Sequence, residues 1–398
     1  GIMEFLTPDA HLEESRVGGT LGWLLTPHSY RELTLDTEFS VLNQSNSYEN
    51  PAASIDEENN NNTLRGRMDG SVSFETVSWI FKPYLGTDIA LDRLESTSLR
   101  SSNGSSLPGK AAQISGAVYT RIEAKNSYLS LTPALRWDLN RSEYKGWEVR
   151  DDSQGSWSLT AALTPLQEDR LILKGNLGTA YHNPGFDDLF WSSGSFASGN
   201  PDLLPEESLN WDGGLYFKPR GGLELSVIYF QSYTENLIQW SPTAGGTWRP
   251  GNIGKVRTQG LENAFTWLIP FQKSFLSFME LQGNYTWMTV RDQTEDSINQ
   301  GNQLPYRPFH AADASLSFIR KNSSLTGSTH AMGYRYTNSG NTKYLDALLT
   351  FDAVFKTSFD QGFTFSAGVL NVGNLQHVDK LGYPVPGREW TLSGGYNF

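Results

Sequence analysis

Apolar and polar residues alternate along most of this chain. Leu33, Leu35, Phe39 and Val41 interleave with Thr34, Asp36, Glu38 and Ser40. Leu129, Leu131, Leu135 and Trp137 interleave with Ser130, Thr132, Arg136 and Asp138. The same rhythm returns at Leu209–Phe217, Leu223–Tyr229, Phe363–Val369 and in the last stretch, where Trp390, Leu392, Gly394, Tyr396 and Phe398 alternate with Thr391, Ser393, Gly395 and Asn397. A period of two places the two sets on opposite faces of a strand. The pattern predicts about seventeen strands of roughly 9–15 residues, lengths that suit tilted strands crossing a bilayer and extending beyond it. No helix-period segment competes with them.

The connections alternate in length. Short turns are predicted at Pro27–Tyr30, Glu75–Ser78, Lys125–Ser127, Pro165–Asp169, Pro219–Gly222, Pro270–Ser274, Arg320–Ser323 and Phe359–Gly362. Long loops are predicted at Ser45–Thr63, Thr97–Lys110, Ser142–Ser156, His182–Glu207, Gln239–Lys255, Arg291–Arg307, Ser339–Tyr344 and Val372–Gly387. A soluble sandwich has no reason to keep all its long loops at one end. A bacterial outer-membrane barrel does, with short periplasmic turns and long extracellular loops.

Composition narrows this reading. Mean hydropathy is −0.44, and no apolar run approaches the roughly 18 residues a spanning helix needs. A membrane chain of this kind must therefore cross as a closed barrel, which satisfies its backbone in lipid. The 12 tryptophans suit the aromatic girdles of such a barrel. There is no cysteine, hence no disulfide frame and no thiolate metal site. A net charge of −12 disfavours nucleic acid and offers no basic surface to anionic lipid. Gly1–Ile2–Met3–Glu4 has neither the basic start nor the apolar stretch of a signal peptide, so the chain is mature or its beginning lies elsewhere.

The expected fold is an all-β transmembrane antiparallel barrel, with residues 1–398 as a single barrel domain. The predicted first and last strands both run from the long-loop end to the short-turn end. They would meet in parallel, whereas single-chain bacterial barrels close antiparallel with an even number of strands. About seventeen strands also fall short of the ~22 of plugged transporters. The expectation is a chain lacking about five strands at its front, with one miscounted strand as the simpler alternative.

Four stretches carry a resemblance. Gly199–Asn200–Pro201–Asp202–Leu203–Leu204–Pro205–Glu206–Glu207–Ser208 precedes a strand. Its prolines fix an extended path, and Glu206 and Ser208 can bond the backbone where the strand restarts. Asn252 to Glu262 contains Gly260 at a position of bulge or close approach. Gly382–Tyr383–Pro384–Val385–Pro386–Gly387–Arg388 leads into the last strand, and Leu304 to His310 into an earlier one. Together, and with Tyr181–His182–Asn183–Pro184, these closely resemble the ordered motifs of TonB-dependent outer-membrane receptors over about the last 220 residues, with a lean toward the cobalamin-receptor-like branch. The resemblance implies capture of a scarce nutrient (cobalamin, a siderophore or a similar metal chelate) for TonB-driven uptake. It implies as partners outer-membrane lipid and lipopolysaccharide, a small-molecule ligand, TonB acting through a plug domain, and the barrel assembly machinery reading Trp390 to Phe398. Nothing in the chain looks like the plug, so the expectation is a barrel with the plug domain absent. A plugless passive porin and a structural or adhesive surface barrel are the rival readings.

Phe190 and Trp191 with Phe186 and Phe196 in one loop, Trp240, Trp248 and Arg249 in the next, and Tyr144 and Trp147 in an earlier one, are expected to meet the ligand by stacking. The competing account is that they pack loop against loop or join the outer girdle. Acidic balance disfavours strongly anionic ferric chelates unless cations such as Arg249 cluster. Asp56–Glu57–Glu58 could hold Ca²⁺ through oxygen, though Ser54–Asn62 reads more simply as a solvated, disordered loop. The histidines His11, His28, His182, His310, His330 and His377 are scattered without metal spacing and form no nucleophile–base pair. No enzyme, cofactor or metal site is expected.

Overall fold

The computed structural model describes residues 11–26, 33–50, 55–76, 78–96, 109–144, 149–166, 170–191, 197–243, 246–272, 275–359, 362–381 and 383–396. The first half runs β1 (His11–Leu25), β2 (Leu33–Asn50), β3 (Ile55–Val72), β4 (Phe74–Glu75), β5 (Ile80–Ser96), β6 (Gly109–Lys125), β7 (Leu129–Tyr144), β8 (Arg150–Leu163) and β9 (Leu171–His182). One short helix, α1 (Phe186–Phe190), follows. The second half runs β10 (Glu206–Phe217), β11 (Leu223–Pro242), β12 (Trp248–Pro270), β13 (Phe278–Asp292), β14 (His310–Arg320) and β15 (Ser323–Met332). Then come β16 (Arg335–Tyr336), β17 (Tyr344–Leu345), β18 (Leu348–Ser358), β19 (Phe363–Leu370), β20 (Val378–Lys380), β21 (Tyr383–Pro384) and β22 (Glu389–Tyr396).

Eighteen of these segments form one barrel-type sheet. β16–β17 and β20–β21 are small hairpins inside two long connections. In the large sheet every ladder is antiparallel and joins elements in chain order, from β1 on β2 to β19 on β22. β3 and β4 lie end to end on β5, so the meander has seventeen rows. An odd number of antiparallel rows leaves β1 and β22 running the same way. Among the described residues no ladder joins them.

Alternation explains the two faces. On β7, Leu135, Trp137 and Leu139 are each more than half exposed, while Arg136 and Asp138 between them point to the other side and bond one another. Leu85 and Ile89 on β5 and Ile114 and Val118 on β6 continue the apolar face. In water such a surface is unfavourable. In hydrocarbon each Leu or Ile gains about 1.5–3 kcal/mol, and a charge there costs about 2–4 kcal/mol. Among the described residues no helix is long and apolar enough to cross a membrane; the strands do the crossing.

The opposite face is a belt of paired charges. Arg65 Nε donates to Asp88 Oδ1 at 3.0 Å, and its Nη2 pairs with the other carboxylate oxygen. Arg136 Nη2 lies 2.7 Å from Asp138 and 3.8 Å from Asp88. Arg67 Nε donates to Asp69 at 2.6 Å, and Tyr119 donates its hydroxyl to the same carboxylate. Each arginine thus faces a carboxylate on its own or a neighbouring strand, the sheet analogue of a charge ladder.

Several predicted loops are shorter than expected. β2 continues to Asn50 and β3 starts at Ile55, so most of Ser45–Thr63 is ladder. The stretch read as a disordered loop is the upper part of β3, where Asn43 Nδ2 donates to Asn60 at 2.9 Å and to Asn62 at 2.7 Å. Tyr144 and Arg150, and Pro242 and Trp248, likewise bound extended hairpins. Above the bilayer both faces of a strand meet water. A polar sequence there keeps its backbone ladder without any apolar face, and the sequence signal disappears. The long connections that remain lie at one end of the sheet, after β5, β9, β13, β15 and β19.

Candidate functional site

The long-loop end is organised by the connection from β9 to β10. It folds back over the polar face as a strap. Phe190 of α1 stacks on Tyr144 with ring centroids 4.8 Å apart, and Phe186 joins it against Leu94, Ala111 and Tyr144. These lie at the loop ends of β5, β6 and β7. The far end of the strap is buried at Leu203, whose carbonyl accepts from Arg150 Nη1 at 2.5 Å. Leu204 then makes a two-way bridge with Asn252 on β12: its N–H donates to Oδ1 at 2.9 Å and its carbonyl accepts from Nδ2 at 3.0 Å.

Asp188 ties the middle. Its carboxylate accepts from the Gly185 N–H at 3.0 Å and from Trp240 Nε1 at 2.8 Å, and its carbonyl accepts from the Asn200 N–H at 2.7 Å. Asn200 in turn donates to the Pro250 carbonyl at 3.1 Å and accepts from Arg249 Nη2 at 3.2 Å. Gly199 is required by closeness: a Cβ there would sit 2.6 Å from the Leu189 carbonyl carbon and the Phe190 nitrogen. The neighbouring Asp187 reaches the surface but is crowded by protein on most sides. Its carboxyl is pushed above the usual carboxylate range by loss of solvent around it and by the Asp188 charge.

The motif residues do what their chemistry predicted. Glu206 accepts from the Ile238 N–H at 2.7 Å, and the Ser208 hydroxyl donates to the Ala180 carbonyl at 3.3 Å. Gly260 permits a close approach, since a Cβ would meet the Trp287 carbonyl at 2.5 Å and the Phe230 ring at 2.6 Å. His310 opens β14 and its Nδ1 lies 2.8 Å from the Tyr285 hydroxyl. Arg388 donates to the Val372 carbonyl through Nε at 3.0 Å and Nη2 at 2.6 Å, fastening the approach to β22.

Of the five residues expected to meet ligand, Phe190, Trp191 and Trp240 gather around Asp188 and are half-buried. Phe190 is committed to Tyr144, and Trp240 to Asp188. Trp191 accepts at its carbonyl from Gly199 at 2.6 Å, while its indole Nε1 is buried without a partner among the described residues. Trp248 is 50% exposed at the tip of the β11–β12 hairpin, its carbonyl taken by Ser198, and Arg249 beside it is exposed. Trp147 and Phe196 lie outside the described residues. Asp188, Asn200 and Asn252, which hold this arrangement, were not singled out as a unit; the Gly-Asn-Pro motif was the only local signal for them.

Asp56, Glu57 and Glu58 occupy successive positions of β3 rather than a loop. Among the described residues no group of three or more His, Cys, Asp or Glu is placed to hold a metal ion. His330 Nδ1 sits 2.6 Å from Asp313 Oδ1 on the inner face, where His330 and His377 line a cavity of about 370 Å³.

A profile of the family described as "TonB dependent receptor-like, beta-barrel" matches residues 8–372. The chain belongs to that family. The TonB-dependent receptor family consists of receptors and transporters rather than enzymes, and its barrels sit in the outer membrane. Among curated relatives, the vitamin B12 transporter BtuB of Photobacterium profundum is 27% identical over 293 residues, covering 71% of this chain and 45% of that protein. BtuB of Vibrio vulnificus is 24% identical over 295 residues, covering 70% and 44%. The chain thus spans less than half the length of these relatives. Solved TonB-dependent receptor barrels share the fold. The siderophore receptor PiuA from Acinetobacter baumannii superposes with a TM-score of 0.76 at 14% identity, over 97% of this chain and 64% of that one. The copper transporter OprC gives 0.78 at 14% identity, over 96% and 65%.

Proposed function

We propose that the intact protein captures a scarce, metal-bearing nutrient (cobalamin, a siderophore or a similar chelate) at its loop end and passes it inward through the barrel. The observation that supports this is the strap: an aromatic-rich segment folded over the polar lumen face of a membrane barrel, with Trp248 and Arg249 exposed beside it. Ligand binding rests on Phe190, Trp191, Trp240, Trp248 and Arg249 as a unit, with Trp248 and Arg249 making first contact. The protein does no chemistry on its cargo. Residues 1–398 act as one barrel domain, and TonB supplies the work through a plug domain that these residues do not resemble. Outer-membrane lipid and lipopolysaccharide surround the apolar face, and the assembly machinery reads Trp390 to Phe398.

The test is uptake of labelled vitamin B12 and of a ferric siderophore by cells expressing the intact protein, with and without TonB. Uptake of one of them that vanishes without TonB is expected. Entry that persists without TonB, at a rate proportional to concentration, would replace this reading with a passive pore.

A further inference from the structure

A second cavity, of about 340 Å³, opens at the same end between the start of β12, the end of β11 and the β13–β14 connection. It is distinct from the aromatic cluster around Asp188, and its chemistry is different. Of its lining residues only Asp292 ionises, and that carboxylate is 6% exposed and already spent. It accepts from the Thr294 N–H at 2.8 Å and the Ser297 hydroxyl at 3.0 Å. Lys255, next in the chain to the lining Gly254, lies between Glu235 at 4.0 Å and Glu295 at 3.9 Å. No lysine or arginine is among the residues that line the cavity; the exposed Arg249 stands opposite Ser241 at its rim.

The walls are rigid and neutral. Gln303 receives the Val290 N–H at 2.9 Å and donates to the Arg307 carbonyl at 3.2 Å. Asn302 donates to the Ser339 carbonyl at 3.0 Å, and Asn252 to Leu204 and Asn236. Val256, Val290 and Leu304 form a buried apolar cluster, with Ile253 packed on it, so the walls of the cavity are backed by a packed core. Against this frame Gln239 and Asn299 are half-buried, line the cavity, and among the described residues find no partner for their side-chain amides. Ser241 at the rim is likewise unengaged. Two primary amides and a hydroxyl held open in a preformed neutral pocket favour a guest that both donates and accepts without charge.

We infer that this cavity is a recognition subsite for the uncharged, amide- or hydroxyl-bearing face of a ligand, with Gln239 and Asn299 as its reading groups. It deepens the uptake reading by naming the chemistry of the guest, and it is measurable as binding alone.

The experiment uses the intact protein in de-energised outer-membrane vesicles and equilibrium binding of three probes: amide-rich vitamin B12, the neutral oligosaccharide maltotriose, and anionic ferric citrate. Binding of vitamin B12 or of maltotriose is expected, and whichever binds identifies amide or sugar as the source. The double variant Gln239→Ala/Asn299→Ala should weaken it about tenfold, the loss expected for two modest hydrogen bonds. The near-isosteric pair Gln239→Glu/Asn299→Asp keeps the shape and should weaken it at least as much, because carboxylates there must be desolvated. Failure of both neutral probes, or neutral binding that neither variant alters, overturns the subsite. So does ferric citrate binding that the alanine pair weakens. Binding that is retained while TonB-dependent uptake fails would remove the transport reading and leave this one standing.

Discussion

The belt on the inner wall and the mouth around Asn252 both keep polar side chains half out of water, and they do it in opposite ways. The belt uses full charges in facing pairs, as with Arg65 and Asp88 or Arg136 and Asp138. The mouth uses neutral amides that satisfy backbone groups, as with Asn252 on Leu204 and Gln303 on Val290. A charge pair is intolerant, because deleting one member strands the other. An amide bonded to backbone is more forgiving, and a wall built that way can leave a few amides spare for a guest. The contrast separates a part that holds shape from a part that can recognise.

Substitutions at four positions probe this difference. Leu135→Arg on the lipid side of β7 sets the scale and should cost about 2–4 kcal/mol in urea unfolding from lipid vesicles; a cost near zero would mean the apolar face does not meet hydrocarbon. Asp88→Ala, which leaves Arg65 and Arg136 without their shared carboxylate, should cost about 2 kcal/mol in the same assay, and Asp88→Asn roughly half of that. If both were silent, the belt would be ornament rather than structure. Asn252→Ala removes the two-way bridge and the Asn236 contact; about 1–2 kcal/mol of local stability should go. That loss should appear as faster protease cleavage within residues 197–204 and not as global unfolding. Asp187→Asn should give the smallest effect. A carboxyl whose folded pKa is raised above its unfolded value contributes stability below the unfolded value and loses it as pH rises through the folded one. The strap should therefore be slightly more protease-resistant in mild acid than at neutral pH, and the asparagine variant should abolish that difference.

The fold was legible where lipid imposes a rule. Leu135, Trp137 and Leu139 must alternate with Arg136 and Asp138 because one face meets hydrocarbon, and the strands of β7 and its neighbours could be read from that alone. The rule ends at the bilayer surface. Asn59 to Asn62 and Trp248 to Lys255 are strands with no period to betray them, and both were expected as loop. The belt left a fainter trace: Arg67 and Asp69, like Arg136 and Asp138, are opposite charges two apart, hence on one face of a strand. The site was legible as composition, not as arrangement. Aromatics in adjacent loops were visible, but that Trp240 bonds Asp188 fifty-two residues away is a consequence of strand order and register. Gln239 and Asn299 carried no local signal at all, since an unengaged amide is defined by what the fold fails to place beside it.

The strap is fixed to Tyr144 on β7 at one end and to Asn252 on β12 at the other, with β8 to β11 arching between. Mechanically it is a chord across an arc. Flattening or tightening that arc changes the distance between its anchors, so the chord resists both. The rim is cross-braced there as well as hinged edge to edge, and any guest that loosens Asp188 or Asn252 also softens the curvature of the opening through which it must pass.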